Sequence, residues 1–193
     1  MNRVGVLALQ GAFVEHMNSL RSLGIEACLV RVAQQLEALD ALVIPGGETT
    51  TMSRLMNEYR FTAPLKALAQ DGFPMMGTCA GMVLLGKNGV HKNVTSLGAM
   101  DIHVRRNAFG RQVDSFETDL DIPAIGEPPF HAVFIRAPLI AEVGDGVEVL
   151  ASLPNGTGVA ARQGKMVALA FHPELTGDLR LHAYFLSIAR GQR

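Results

Sequence analysis

The chain is poor in the features that would announce several large protein classes. Only two of its 193 residues are cysteine, Cys28 and Cys79. That excludes a disulfide-stapled scaffold and implies a reducing compartment, with a cytoplasmic location expected. No Cys/His cluster has ligand spacing, so no metal is expected. Charge of one sign is also missing: 17 Lys and Arg face 18 Asp and Glu, a net charge of -1. Without a basic cluster, nucleic acid is not an expected partner. No apolar run approaches the length of a membrane-spanning helix, and Met1-Asn2-Arg3 leads straight into strand-like sequence, so neither a membrane partner nor a secretory leader is expected. Repeats, low-complexity tracts and linkers are absent too. A single domain over 1–193 is the expectation, long enough to bury a stable core.

What is present is an alternation of short apolar runs and helical patterns. Residues 4–9 read as a buried strand, and Phe13, Met17, Leu20 and Leu23 then recur at helical spacing up to a stop at Gly24. Strands follow at 27–32 and 41–44, with a short helix carrying Leu36 and Leu39 between them. Helices over 51–59, which the run Thr49-Thr50-Thr51 would cap, and over 63–70 precede a strand at 74–77 and a helix through Leu85. This order predicts an α/β fold: a doubly wound, mostly parallel sheet flanked by helices. From residue 98 the pattern changes to strands at 101–105, 112–120, 132–136, 147–150, 159–163 and 166–171, a mixed or antiparallel extension of the sheet. An amphipathic helix over 178–190 closes the chain.

Chemistry concentrates at Gly77-Thr78-Cys79-Ala80-Gly81. A strand, a tight turn with glycine on either side and a following helix form a nucleophile elbow, which leaves its central side chain exposed at the tip. With cysteine there, the chemistry indicated is thiolate attack on an acyl carbon. A lone cysteine is more often a small buried apolar residue, so the elbow needs a base. Phe171-His172-Pro173-Glu174 supplies one at the end of the last strand. In extended backbone His172 and Glu174 share a face, so the carboxylate can hold one imidazole nitrogen while the other meets the thiol. His16, His91, His103, His131 and His182 read as packed or surface histidines. The oxyanion of acyl transfer needs donors. Ala80 N–H, just after the nucleophile, is one, and the Pro45-Gly46-Gly47-Glu48 turn offers Gly47 as the other.

Cysteine elbow, strand-end Pro-Gly-Gly and downstream His-Pro-Glu, in this order, resemble a class I, triad-type glutamine amidotransferase. Leu9-Gln10-Gly11, Pro45 to Thr50, Gly77 to Gly81, Arg106 to Gln112, Phe134 to Pro138 and Phe171 to Leu175 are similar, more narrowly, to the glutaminase-subunit family of pyridoxal 5'-phosphate synthases. Thr49 and Ala108 depart from the usual Ser of that family. The resemblance implies Cys79 as nucleophile, His172 as general base and acid and Glu174 as its orienter. It also implies glutamine contacts from Gly46, Gly47, Glu48, Thr49, Arg106, Ile135 and Arg136. No cofactor is implied. The implied partners are L-glutamine and a barrel-fold synthase subunit that receives ammonia in a hetero-oligomer, with Gln10 near the partner-facing side. Competing readings are the glutaminase subunit of another amidotransferase, such as imidazole glycerol phosphate synthase, and a γ-glutamyl hydrolase or cysteine peptidase on the same scaffold.

Overall fold

A computed structural model describes residues 3–87, 94–106 and 115–192. Its first half alternates strand and helix: β1 (Arg3–Leu7), α1 (Phe13–Ser22), β2 (Glu26–Val30), β3 (Ala41–Ile44), α2 (Thr49–Glu58), α3 (Thr62–Gln70), β4 (Met75–Thr78) and α4 (Ala80–Leu85). Strands dominate the second half: β5 (Ile102–Arg105), β6 (Ser115–Leu120), β7 (Phe130–Ile135), β8 (Leu139–Val143), β9 (Glu148–Ser152), β10 (Gly158–Gln163) and β11 (Met166–Leu169), before α5 (Arg180–Ala189).

The main sheet runs β2-β1-β3-β4-β11-β10-β8-β5, with β9 also on β10. The pairs from β2 to β11 are parallel, and those beyond β11 antiparallel. Sequence explains the division. β3, β4 and β11 are buried at every residue and apolar throughout save Thr78 at the end of β4, as strands covered on both faces must be. β5 alternates buried and exposed residues, the signature of a strand with one wet face. β6 and β7 form a separate hairpin. Phe134 of β7 stacks on Phe116 and packs against Phe171 at 5.4 Å between ring centres, which fastens the hairpin to the end of β11. Among the described residues no helix is long and apolar enough to cross a membrane.

Several local expectations change. The segment bearing Leu36 is a 3-10 turn, Ala33–Ala38. Helix α2 begins at Thr49 and not at 51, because the cap is Glu48 and not the threonine run: its carboxylate accepts from the N–H groups of Thr50 and Thr51. β8 was not anticipated; Pro138 ahead of it and its exposed outer half mask the strand. β7 starts two residues earlier than expected, at Phe130, and stops at Ile135 because Arg136 takes a positive φ of 42°. The expected strand over 112–120 is described from Ser115 onward, and its first residues lie outside the described ones.

Candidate active site

Three neighbouring parallel strands, β3, β4 and β11, end side by side, with Ile44 opposite Gly77 and Leu169 opposite Thr78. The segments that leave these ends carry the candidate groups, at the carboxyl edge where such sheets place their sites. After β4 the chain turns through Cys79 at φ 48°, ψ -103°, and α4 begins at once. A non-glycine residue in this region is strained. Two glycines permit the turn. A Cβ at Gly77 would meet the Gly81 backbone at 2.6 Å, and one at Gly81 would overlap the Ile44 carbonyl. Cys79 N–H donates to Leu169 O at 2.8 Å, which ties the elbow to β11, and Sγ lies 3.9 Å from Ile135 O.

Past β11, His172 N–H donates to Val133 O at 2.9 Å, and Pro173 opens a 3-10 turn, Pro173–Leu175. His172 and Glu174 do meet, with Nδ1 2.7 Å from Oε1, but across this turn and not along extended strand as the sequence implied. That leaves the other ring nitrogen free of Glu174, and Cys79 lines the same cavity as the ring. Burial works to lower the His172 pKa. Interaction with the neighbouring Cys79 and Glu174 outweighs it and raises the pKa to about 10. All three side chains are nearly buried, with Cys79, His172 and Glu174 exposed by 8%, 7% and 6%.

The loop after β3 approaches from the other side. A Cβ on Gly46 would overlap the His172 ring, so glycine is what lets the imidazole sit there. Gly46 O accepts from Ala12 N–H at 3.1 Å, and Gln10 Oε1 accepts from Glu48 N–H at 2.7 Å. The turn after β1 thus clasps the Gly46-Gly47 loop from behind.

These segments enclose a cavity of about 390 Å³ lined by Gly47, Glu48, Thr49, Cys79, Ala80, Val83, Arg106, Ile135, Arg136, Pro138 and His172. Of the residues singled out from sequence, Gly46 lies against His172, Glu174 lies behind the imidazole, and Gln10 lies behind the loop. The Arg106 guanidinium is 3.3 Å from Glu48 Oε1 and reaches Thr50 Oγ1 at 3.5 Å. Partial burial acts to raise the Glu48 pKa, but the N–H groups of Thr51 and Thr50 overcome it and hold it at about 2. The remainder of the Arg106 to Gln112 motif lies outside the described residues. Among the described residues no group of three His, Cys, Asp or Glu side chains could hold a metal ion.

Sequence reasoning passed over the wall behind Glu174. His16 of α1 is fully buried, with Nε2 3.3 Å from Glu174 Oε2 and 3.1 Å from Thr78 Oγ1, and with Nδ1 3.0 Å from Nε2 of the buried His182 on α5. Burial, then the neighbouring His182 and His172, holds the His16 pKa well below 6.5, and burial lowers that of His182 to about 4. Both shifts favour the neutral imidazole. The available signal was a histidine within the apolar stripe of Phe13, Met17 and Leu20. Val83 and Pro138 of the lining also went without a role.

Comparison with known proteins points to one family. The model of the SNO glutamine amidotransferase family matches residues 6–190. A protein of Herpetosiphon aurantiacus named pyridoxal 5'-phosphate synthase subunit PdxT is 56% identical over 188 residues, covering 96% of this chain and 99% of that one. A protein of the same name from Pelotomaculum thermopropionicum is 59% identical over 184 residues, 95% of this chain and 93% of that one. A crystal structure described as a glutamine amidotransferase superposes with a TM-score of 0.90 at 50% identity, covering 97% of this chain and 98% of the other.

Proposed function

The chain belongs to the SNO glutamine amidotransferase family, and from that premise we propose that it is the glutaminase subunit of a pyridoxal 5'-phosphate synthase, hydrolysing L-glutamine to L-glutamate and ammonia at Cys79. The observation that carries the reading is the strained Cys79 sharing a cavity with His172, whose Nδ1 is 2.7 Å from Glu174, and with Arg106.

Cys79 Sγ attacks the side-chain carboxamide carbon as a thiolate, its proton held on His172. The carbonyl oxygen becomes an oxyanion, for which Ala80 N–H at the start of α4 and Gly47 N–H are the donors. His172 gives its proton to the departing nitrogen, the C–N bond breaks, and a γ-glutamyl thioester remains as ammonia leaves. Water then attacks the same carbon while His172 takes its proton, and the C–S bond breaks to release glutamate and the thiolate. Glu174 keeps the imidazole oriented through both proton transfers. Arg106 is the guanidinium suited to the substrate α-carboxylate, beside Thr49, Ile135 and Arg136. Ammonia released into water would be protonated and lost as a nucleophile, so the reading includes direct delivery to a docked synthase subunit. Gln10, which holds Glu48 N–H behind Gly47, is the residue through which docking would reach the oxyanion loop.

The test is Cys79→Ala assayed with the synthase subunit. Glutamine hydrolysis is expected to fall by at least about 10⁴-fold, while ammonium salts still support cofactor formation. Glutaminase activity that survives the substitution overturns the assignment.

A further inference from the structure

Among the described residues only two buried side-chain polar atoms lack a hydrogen bond, Glu174 Oε2 and His182 Nδ1. They are the two ends of one chain of contacts: Glu174 Oε2 to His16 Nε2 at 3.3 Å, and His16 Nδ1 to His182 Nε2 at 3.0 Å. His16 sits in the middle, fully buried, on a helix that also packs against the turn bearing Glu174.

Proton placement in this chain has two possible directions. In one, His16 Nδ1–H donates to His182 Nε2. His182 then carries a proton on Nδ1, a buried donor with no acceptor, and the His16 lone pair, which accepts from Thr78 O–H, also faces a carboxylate oxygen at 3.3 Å. Both features are costly in a dry interior. In the other direction His182 Nε2–H donates to His16 Nδ1. His16 then bears its proton on Nε2, between Thr78 Oγ1 and Glu174 Oε2, and the far end at His182 is only an unfilled acceptor. The second arrangement turns an N–H dipole and not a lone pair toward the carboxylate, and its cost is a Thr78 hydroxyl proton that no longer has His16 as acceptor.

Resting on the amidotransferase reading above, we propose that His16 is a positioning residue of the thiol site: as the Nε2–H tautomer imposed by His182, it sets the positive end of its N–H dipole 3.3 Å from the outer oxygen of Glu174, a charge–dipole contact outside hydrogen-bond geometry that favours the inner oxygen staying on His172. Thr78, the residue before the nucleophile, is the hydrogen-bond partner of that ring nitrogen at 3.1 Å, so the elbow and the orienting carboxylate both lie against one buried ring. Glu174 has its inner oxygen on His172 and no hydrogen bond on the outer one. Without His16 that carboxylate is free to rotate, and with it the imidazole.

The experiment uses the full chain with its synthase partner, in parallel with Cys79→Ala. His16→Leu fills the space without a donor, and His16→Gln restores an N–H. We expect His16→Leu to lower kcat about 10- to 100-fold, the scale of a small misplacement of reacting groups, with KM for glutamine unchanged. His16→Gln is expected to recover most of the loss. Because either variant could fail to fold, the tautomer is read independently from two-bond ¹H–¹⁵N spectra of the unsubstituted chain near neutral pH. The expected pattern is His16 protonated on Nε2, becoming a mixture in His182→Phe. A folded His16→Leu variant with unchanged kcat, a loss that appears in KM, or an Nδ1–H tautomer each overturns the proposal. None of these outcomes bears on whether Cys79 hydrolyses glutamine, which Cys79→Ala decides separately.

Discussion

Two histidines in this molecule sit against carboxylates at nearly the same distance, and only one of them faces a cavity. His131 on β7 has both ring nitrogens occupied, Nδ1 by Asp119 and Nε2 by Glu117, each at 2.9 Å. Strand register does this: Asp119 is directly opposite and Glu117 lies one pair further along the same face. His172 has one carboxylate, on Nδ1 at 2.7 Å, and its other nitrogen is turned to sulfur. Hydrogen bonds to Asp119 and Glu117 also raise the His131 pKa, yet its side chain is 55% exposed and no nucleophile is near. With a carboxylate on each nitrogen, His131 has no ring nitrogen left to exchange a proton with a reactant. The working histidine is the one left partly unsatisfied.

That contrast can be broken most severely at Glu174. Glu174→Gln removes the charge that orients His172, and partner-supported glutaminase kcat is expected to fall about 10³- to 10⁴-fold, the scale of removing an orienting carboxylate elsewhere. Asp119→Asn, the formally equivalent change at His131, is expected to leave kcat alone. Parallel kinetics on the two variants decide the matter, and equal losses would erase the distinction.

A third carboxylate calibrates the effect of N–H donors alone. Glu48→Ala uncaps α2 and is expected to cost about 1 kcal/mol of stability at neutral pH, read from denaturant unfolding. Since the folded-state pKa is about 2 against an ordinary 4.5, the Glu48 contribution is present above pH 4.5 and fades as pH falls through about 2. The stability gap between variant and parent should close over that window.

The smallest effect belongs to His131. Its raised pKa means that the imidazolium stabilises the fold below pH 6.5 and that this support disappears as pH rises through the elevated value. His131→Asn should therefore lower Tm slightly at acidic pH and not at all in alkali, as expected for an exposed ion pair. At His172 the same sign applies, but the contribution extends to about pH 10. Tm followed across pH for His131→Asn and His172→Asn separates the surface pair from the buried one.

How legible all this was from sequence depends on where each residue sits along the chain. Cys79, Ala80, His172, Glu174 and Gly47 stand at strand ends, inside short motifs whose local geometry carries their meaning, and the structure brings them to one edge. The parallel half of the sheet was equally readable, because β3, β4 and β11 are apolar runs save for Thr78 at the end of β4. His16 and His182 were not. Each lies on the buried stripe of an amphipathic helix, where a histidine looks like tolerated packing, and they meet only because α1 and α5 pack together across 166 residues of chain. The His172–Glu174 pairing was anticipated through the wrong backbone, since Pro173 starts a turn and not an extension of β11. The cap at Glu48 was hidden because three threonines follow it, each a more familiar capping residue.

The side-by-side ending of β3, β4 and β11 fixes the scale of the site. Adjacent strands keep a separation of about 4.8 Å, set by backbone hydrogen bonds that every residue type makes alike. The oxyanion loop, the sulfur and the imidazole are mounted one per strand, so the gaps between them are inherited from the ladder and hardly depend on the side chains around it. Helices and surface loops can diverge widely among relatives without disturbing this ruler. What they cannot alter freely is the small set of residues, such as Gly46, Gly77 and Gly81, that lets each segment leave its strand at the same height.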